Sequence, residues 1–267
     1  MPQHEVRSGV VIAYEDQWLG APWQDGEPIV LLHGVAESLV SWQQWVPVLA
    51  GRFRTLRPDQ PGFGRSPFPA SYDCTTQRVA GDLIRLIDAL KIDRFHLVGA
   101  KYGGSTALRM AADYPERIKT LAVFGTPAKG SPGGKADLTV FAERISNEGV
   151  RDWAAATQRS RLGSDASPEM MRWWTDELMG RSDRNACIGY TSAAAIMDLE
   201  PLLGHITAPT LVVTTEASPL QPVTVARAYQ EKIANSNLLV LPGDSYHIAA
   251  VRPEECATRL LRFIAGS

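Results

Sequence analysis

The chain has 267 residues, 45% of them hydrophobic, with 27 Lys and Arg against 29 Asp and Glu for a formal charge of −2. That length buries a substantial core as one α/β domain with or without an insertion, and the mixed charge gives no electrostatic reason to expect nucleic acid or a membrane surface as partner. Cys74, Cys187 and Cys256 are odd in number and far apart. With no apolar signal core and no run of about 18 apolar residues, the expectation is a soluble cytoplasmic protein without disulfides.

Short apolar runs alternate with amphipathic stretches along the chain, the pattern of a mostly parallel sheet covered by helices. Strands are predicted at Val10–Tyr14, Ile29–Leu32, Arg54–Arg57, Phe95–Val98, Thr120–Phe124, Thr210–Thr214 and Leu238–Leu241. Helices are predicted near Trp42–Ala50, Thr76–Leu90, Gly104–Ala112, Val223–Ile233 and Pro253–Ile264. The last carries a first-turn proline and Glu254 and Glu255 where the helix dipole favours acids. Between about Pro127 and His205 the alternation breaks. Residues 128–134 form a Gly- and Pro-rich loop, followed by a segment with Trp153, Met170, Met171, Trp173, Trp174 and Met179. We expect a helical cap over residues 128–205, set on the carboxyl end of a sheet built from 1–127 and 206–267, where open α/β folds bind ligands. The three tryptophans are candidates for pocket walls as well as for the cap's own core.

Four local motifs carry the chemistry. His33-Gly34 follows one predicted strand, and Asp59-Gln60-Pro61-Gly62-Phe63-Gly64-Arg65-Ser66 follows the next. Gly99-Ala100-Lys101-Tyr102-Gly103-Gly104 is a strand–turn–helix with small residues around one lifted side chain, the design of a nucleophile elbow. The lifted residue is Lys101 rather than a serine. His247 follows the last predicted strand, and its residue type suits proton transfer near neutral pH.

In order and spacing these motifs resemble the α/β-hydrolase superfamily, of the kind with a helical cap. The resemblance implies the α/β-hydrolase fold, a small-molecule substrate, no cofactor and no metal. It implies an oxyanion hole from the amides of Val35 and Tyr102, with His33 and Gly34 shaping the loop at the pocket, and His247 as general base. Two positions depart from the family's pattern: Lys101 stands at the nucleophile and Ser218 at the usual acid. Ser218 and Glu216 are candidate partners for His247, as is Asp244. Ser105 is the candidate nucleophile of a shifted elbow, and cap arginines such as Arg144, Arg159 and Arg172 are candidates for binding a carboxylate. The helix N-terminus, partial burial under the cap and the lost acid all predict a lowered Lys101 pKa.

Three functions fit this reading. One is an enzyme acting on a carbonyl-bearing small molecule through Lys101 and His247, with C–C cleavage, decarboxylation, dehydration or hydrolysis as outcomes. Another is a ligand-binding pseudo-hydrolase without turnover. The third is a hydrolase in which His247 activates water directly. Self-association is left open.

Overall fold

The computed structural model describes residues 1–130 and 138–267; most of the predicted Gly- and Pro-rich loop lies outside the described residues. Eight strands form one sheet: β1 (Gln3–Arg7), β2 (Val10–Gln17), β3 (Glu27–Leu32), β4 (Phe53–Pro58), β5 (Phe95–Ala100), β6 (Ile118–Phe124), β7 (Thr210–Thr215) and β8 (Ser236–Leu241). Their order is β1-β2-β4-β3-β5-β6-β7-β8. β1 and β2 join antiparallel, and every pairing from β4 to β8 is parallel. This is an α/β-hydrolase fold.

The parallel strands read as continuous apolar runs because both faces are covered. Successive side chains point to opposite faces. Ile29 and Leu31 accordingly join Val98, Phe124, Trp42, Trp45 and Leu260 in one core. Val30 and Leu32 join Leu97, Leu83, Met110 and Tyr229 in the other, which runs on into Trp153, Trp174 and Tyr190.

After β3 the chain passes to β4 on one side, then returns to place β5 on the other. Loops leaving the carboxyl ends of β3 and β5 therefore diverge from neighbouring strands, which pair with Leu32 opposite Gly99. Such a switch point opens a crevice, and here the β3 loop carries His33–Glu37 while the β5 turn carries Lys101.

Between β6 and β7 the described residues form helices at Leu138–Glu148, Val150–Leu162, Pro168–Trp173 and Arg184–Ile196. The two ends of this stretch are stitched together: the Gly130 amide donates to the Met197 carbonyl at 2.7 Å and the Leu199 amide to the Ala128 carbonyl at 2.8 Å. Lys129 and Asp198 add a salt bridge at 2.6 Å.

Candidate active site

Lys101 caps the elbow helix Tyr102–Asp113 with φ 54° and ψ −124°. A non-glycine residue in this region is strained by about 1–3 kcal/mol and persists only where its surroundings hold it. The turn is that tight because strand and helix nearly touch. A Cβ on Gly103 would meet the carbonyl oxygens of His33 and Leu32 at 2.3 Å, and one on Gly99 the Gly103 carbonyl at 2.5 Å. The turn raises Lys101 off the sheet, 6% exposed, into a cavity of about 320 Å³.

The lysine does not stand free. Its Nζ donates to Glu37 Oε1 in a fully buried ion pair. Glu37 Oε2 faces His247 Nε2 at 3.1 Å and accepts from the Gly34 amide at 3.2 Å and the Ser41 hydroxyl at 3.1 Å. One carboxylate thus joins the lysine at the elbow to the histidine after the last strand. Gly34 permits it: a Cβ there would lie 2.9 Å from Glu37 Oε1 and 3.1 Å from Lys101 Cε.

Burial alone would push the Glu37 carboxyl up, but the facing His247 and Lys101 outweigh it and hold it well below the usual carboxylate range. Burial pulls Lys101 below the ordinary lysine value while Glu37 opposes it, and Arg161 adds to the fall. The sequence predicted the direction, with partial burial under the cap among its causes, and burial leads them. Burial also lowers His247 and keeps it neutral. A neutral imidazole facing a carboxylate presents Nε2–H, so Nδ1 carries the bare lone pair, and Nδ1 has no partner among the described residues.

The other candidate residues fall into two groups. Val35, Tyr102 and Trp153 line the cavity with Lys101, and among the described residues neither the Val35 nor the Tyr102 amide donates to another protein group. Trp174 lies behind the cavity wall, edge-on to His247 with 5.1 Å between ring centroids. Trp173 is 41% exposed and does not reach the cavity, because it sits on the outer side of its helical turn. His33 is buried behind its loop: Nε2 accepts from the Gln60 amide at 3.0 Å, so Nδ1–H is the side that bonds the Gly34 carbonyl at 2.8 Å. It shapes the loop and does not line the cavity.

None of the expected partners touches His247. The Ser218 hydroxyl accepts from the Gln221 amide at 3.1 Å, and Glu216 points to solvent. Asp244 turns to the loop after Val150–Leu162, accepting from the Ser164 amide at 2.7 Å and hydroxyl at 2.9 Å. Ser105 is buried inside the elbow helix with its hydroxyl on the Pro127 carbonyl at 2.6 Å. The cap arginines singled out from sequence are engaged or exposed: Arg144 pairs with Glu148, Arg172 with Glu169, and Arg159 lies on the surface.

Sequence reasoning missed Glu37 and Arg161. A lysine buried at an elbow needs a counter-ion, and the loop four residues after His33 is where the switch point would deliver one. Arg161 falls in phase with Trp153 and Thr157 at intervals of four, the spacing of one helix face. Among the described residues no cluster of His, Cys, Asp and Glu could hold a metal ion, and no helix is long and apolar enough to cross a membrane.

The chain is 24% identical over 98% of its length, and 99% of the other's, to a Caulobacter protein named as a carbamate hydrolase, RutD. It is 33% identical over 40% of its length, and 39% of the other's, to a Pseudomonas 2-hydroxymuconate semialdehyde hydrolase. The solved enol-lactonase of Burkholderia xenovorans LB400 superposes with a TM-score of 0.87 at 24% identity, covering 99% of this chain and 100% of that one. The model of the alpha/beta hydrolase fold family matches residues 27–251. With its sheet order and elbow, that match places the chain in the α/β-hydrolase family.

Proposed function

We propose that this protein is an enzyme that acts on a carbonyl-bearing small molecule, with Lys101 as its substrate-facing catalytic residue. The observation that carries the reading is the buried Lys101–Glu37–His247 chain, of which Lys101 alone lines the cavity. Glu37 holds the amine as an ammonium, and His247 and Ser41 fix Glu37; these are positioning residues. A substrate carbonyl seated against the Val35 and Tyr102 amides develops negative charge on oxygen as it reacts. Two such donors are worth about 3 kcal/mol each in barrier height, and the nearby ammonium adds charge stabilisation and a proton.

When Lys101 gives that proton to the developing anion, its neutral amine stays hydrogen-bonded to Glu37, and solvent returns the proton as product leaves. Decarboxylation and retro-aldol C–C cleavage release an enolate that takes this proton, and dehydration passes through an enolate once the α-proton has gone to solvent. Hydrolysis passes through the oxyanion formed when water adds to the carbonyl, water's extra proton going to solvent and the leaving group departing with a proton. The chain thus acts as a hydrolase or lyase without a serine. Residues 128–205 serve as the cap over this site. The small-molecule hydrolases among the relatives support the reading, since carbamates, enol lactones and semialdehydes each present a carbonyl.

Covalent imine formation is the second version, favoured by the lowered Lys101 pKa and open only when the amine is neutral. The test is turnover of carbamates, enol lactones and 2-hydroxy-6-oxo-dienoates by wild type, Lys101→Met, Glu37→Gln and His247→Gln. Lys101→Met should lose about 10²–10³ in kcat, and Glu37→Gln should shift the pH profile of kcat. Borohydride added during turnover should leave Lys101 unmodified; an adduct selects the covalent version. Unimpaired turnover by Lys101→Met overturns both versions, and tight binding of the panel without turnover makes the protein a ligand binder.

A further inference from the structure

Besides Lys101, the described residues lining the cavity include two cations, Lys129, which pairs with Asp198, and Arg161, whose guanidinium plays no part in the chain of contacts around Lys101. Arg161, near the end of helix Val150–Leu162, is 4% exposed yet has no carboxylate partner among the described residues. Among the described residues its one side-chain hydrogen bond is from Nη1 to the Thr157 hydroxyl. The guanidinium lies over the Trp153 ring at 4.2 Å from its centroid and 5.9 Å from that of Phe141. Arg161 also fastens the helix to the histidine loop, its carbonyl accepting from the His247 amide at 2.8 Å and the Ser245 hydroxyl at 3.1 Å.

Burying a charge without a counter-ion is unfavourable. The helix C-terminus and the aromatic faces offset part of that, and among the described residues only Nη1 of the guanidinium has a hydrogen-bond acceptor. Glu37, the carboxylate whose charge favours the Arg161 cation, is already held by Lys101 and His247. Burial lowers Arg161 only to about 10, so it is charged at neutral pH. Lys101 and Glu37 cancel, Lys129 is paired with Asp198, His247 is neutral, and among the described residues Arg161 leaves the cavity walls with one positive charge in excess. The rest of the lining is largely apolar, with Leu138, Phe141, Trp153, Ala194 and Val225.

We infer that Arg161 is a specificity-determining residue that binds a carboxylate of the substrate, so that the substrates are small oxo acids or other carbonyl compounds bearing one carboxylate. A guanidinium fork matches a carboxylate with two parallel hydrogen bonds. An apolar cavity of about 320 Å³ admits the carbon skeleton between that end and the carbonyl at Lys101. This inference rests on the reading of Lys101 as the reacting end of the same cavity.

The experiment separates the two. Linear oxo acids of four to eight carbons and their methyl esters are titrated into the intact protein, with tryptophan fluorescence and calorimetry as readouts. A charge-assisted pair replaces an ester that cannot make it, so the best acid should bind at least about tenfold tighter than its ester. Arg161→Gln should remove the preference while leaving ester affinity in place, and Arg161→Lys should keep part of it. Lys101→Met should retain the acid preference even though turnover is lost. Inorganic phosphate should fail to displace the acid; displacement would make the site a general anion site and overturn the assignment to carboxylates. Equal binding of acid and ester by wild type, which needs no variant to fold, overturns the inference, as does a preference that survives Arg161→Gln. An acid preference without turnover of any substrate overturns the enzymatic reading and leaves the carboxylate site standing.

Discussion

Lys101 brings a charge to the apex of a turn and buries it, and Glu37 is what makes that arrangement stable. Breaking a buried ion pair from one side leaves an uncompensated charge and costs about 3–5 kcal/mol, whereas replacing both partners costs far less. Lys101→Met and Glu37→Gln should each lower unfolding stability by about that amount, with the double variant well short of their sum. Urea unfolding of the four proteins measures this, and additive losses would show that the two groups do not interact. The elbow and its lysine were legible in the sequence because small residues at fixed offsets admit few conformations. Glu37 was not, since a carboxylate in a loop reads as solvated until the β3 and β5 loops are known to meet. Ser218 stands at the family's usual acid position, and Glu216 and Asp244 are the loop carboxylates that sequence alone offers as substitutes. The histidine instead turns Nε2 to a carboxylate on the opposite side of the site.

Among elements, the elbow helix depends on backbone contact that side chains cannot relieve. Gly103→Ala would push a methyl into the carbonyls of Leu32 and His33 at 2.3 Å, so the strand and helix must separate. We expect loss of several kcal/mol, beyond the range of ordinary single substitutions. Gly51→Ala, with open space around it, should stay within about 0.5 kcal/mol. Thermal melts of the two variants side by side check this, and a Gly103→Ala protein as stable as wild type would contradict the elbow geometry. The seven strands predicted from apolar runs are all present, and the central β3 to β7 were the plainest because strands covered on both faces must be apolar throughout. β1 escaped notice because Gln3–Arg7 is a polar edge strand with most residues exposed. The helix expected at Trp42–Ala50 is a 3-10 turn over Leu39–Trp45 followed by the short helix Val46–Leu49, with Pro47 in its first turn.

For the whole molecule, buried neutral histidines set the response to acid. His33, His96 and His247 are all held below the ordinary histidine value, with burial the leading cause. Below about pH 6.5 the unfolded chain takes up protons that the folded chain refuses, so stability falls as pH drops. The melting temperature should therefore decline between pH 7 and 5, before the carboxylates titrate; a flat profile down to pH 5 would show that these rings accept protons in place. The helices between Leu138 and Ile196 were legible as a break in strand periodicity. Which of their side chains reach the cavity was not: Trp153 does and Trp173 does not, because facing depends on how the helices sit on the sheet. At the centre of the proposed site Glu37 keeps Lys101 an ammonium. Nitrogen-15 NMR of lysine-labelled protein at pH 7 reads this directly. The account predicts a slowly exchanging ammonium signal for Lys101, assigned by its absence in Lys101→Met and altered in Glu37→Gln. A neutral amine signal for Lys101 at that pH would contradict it.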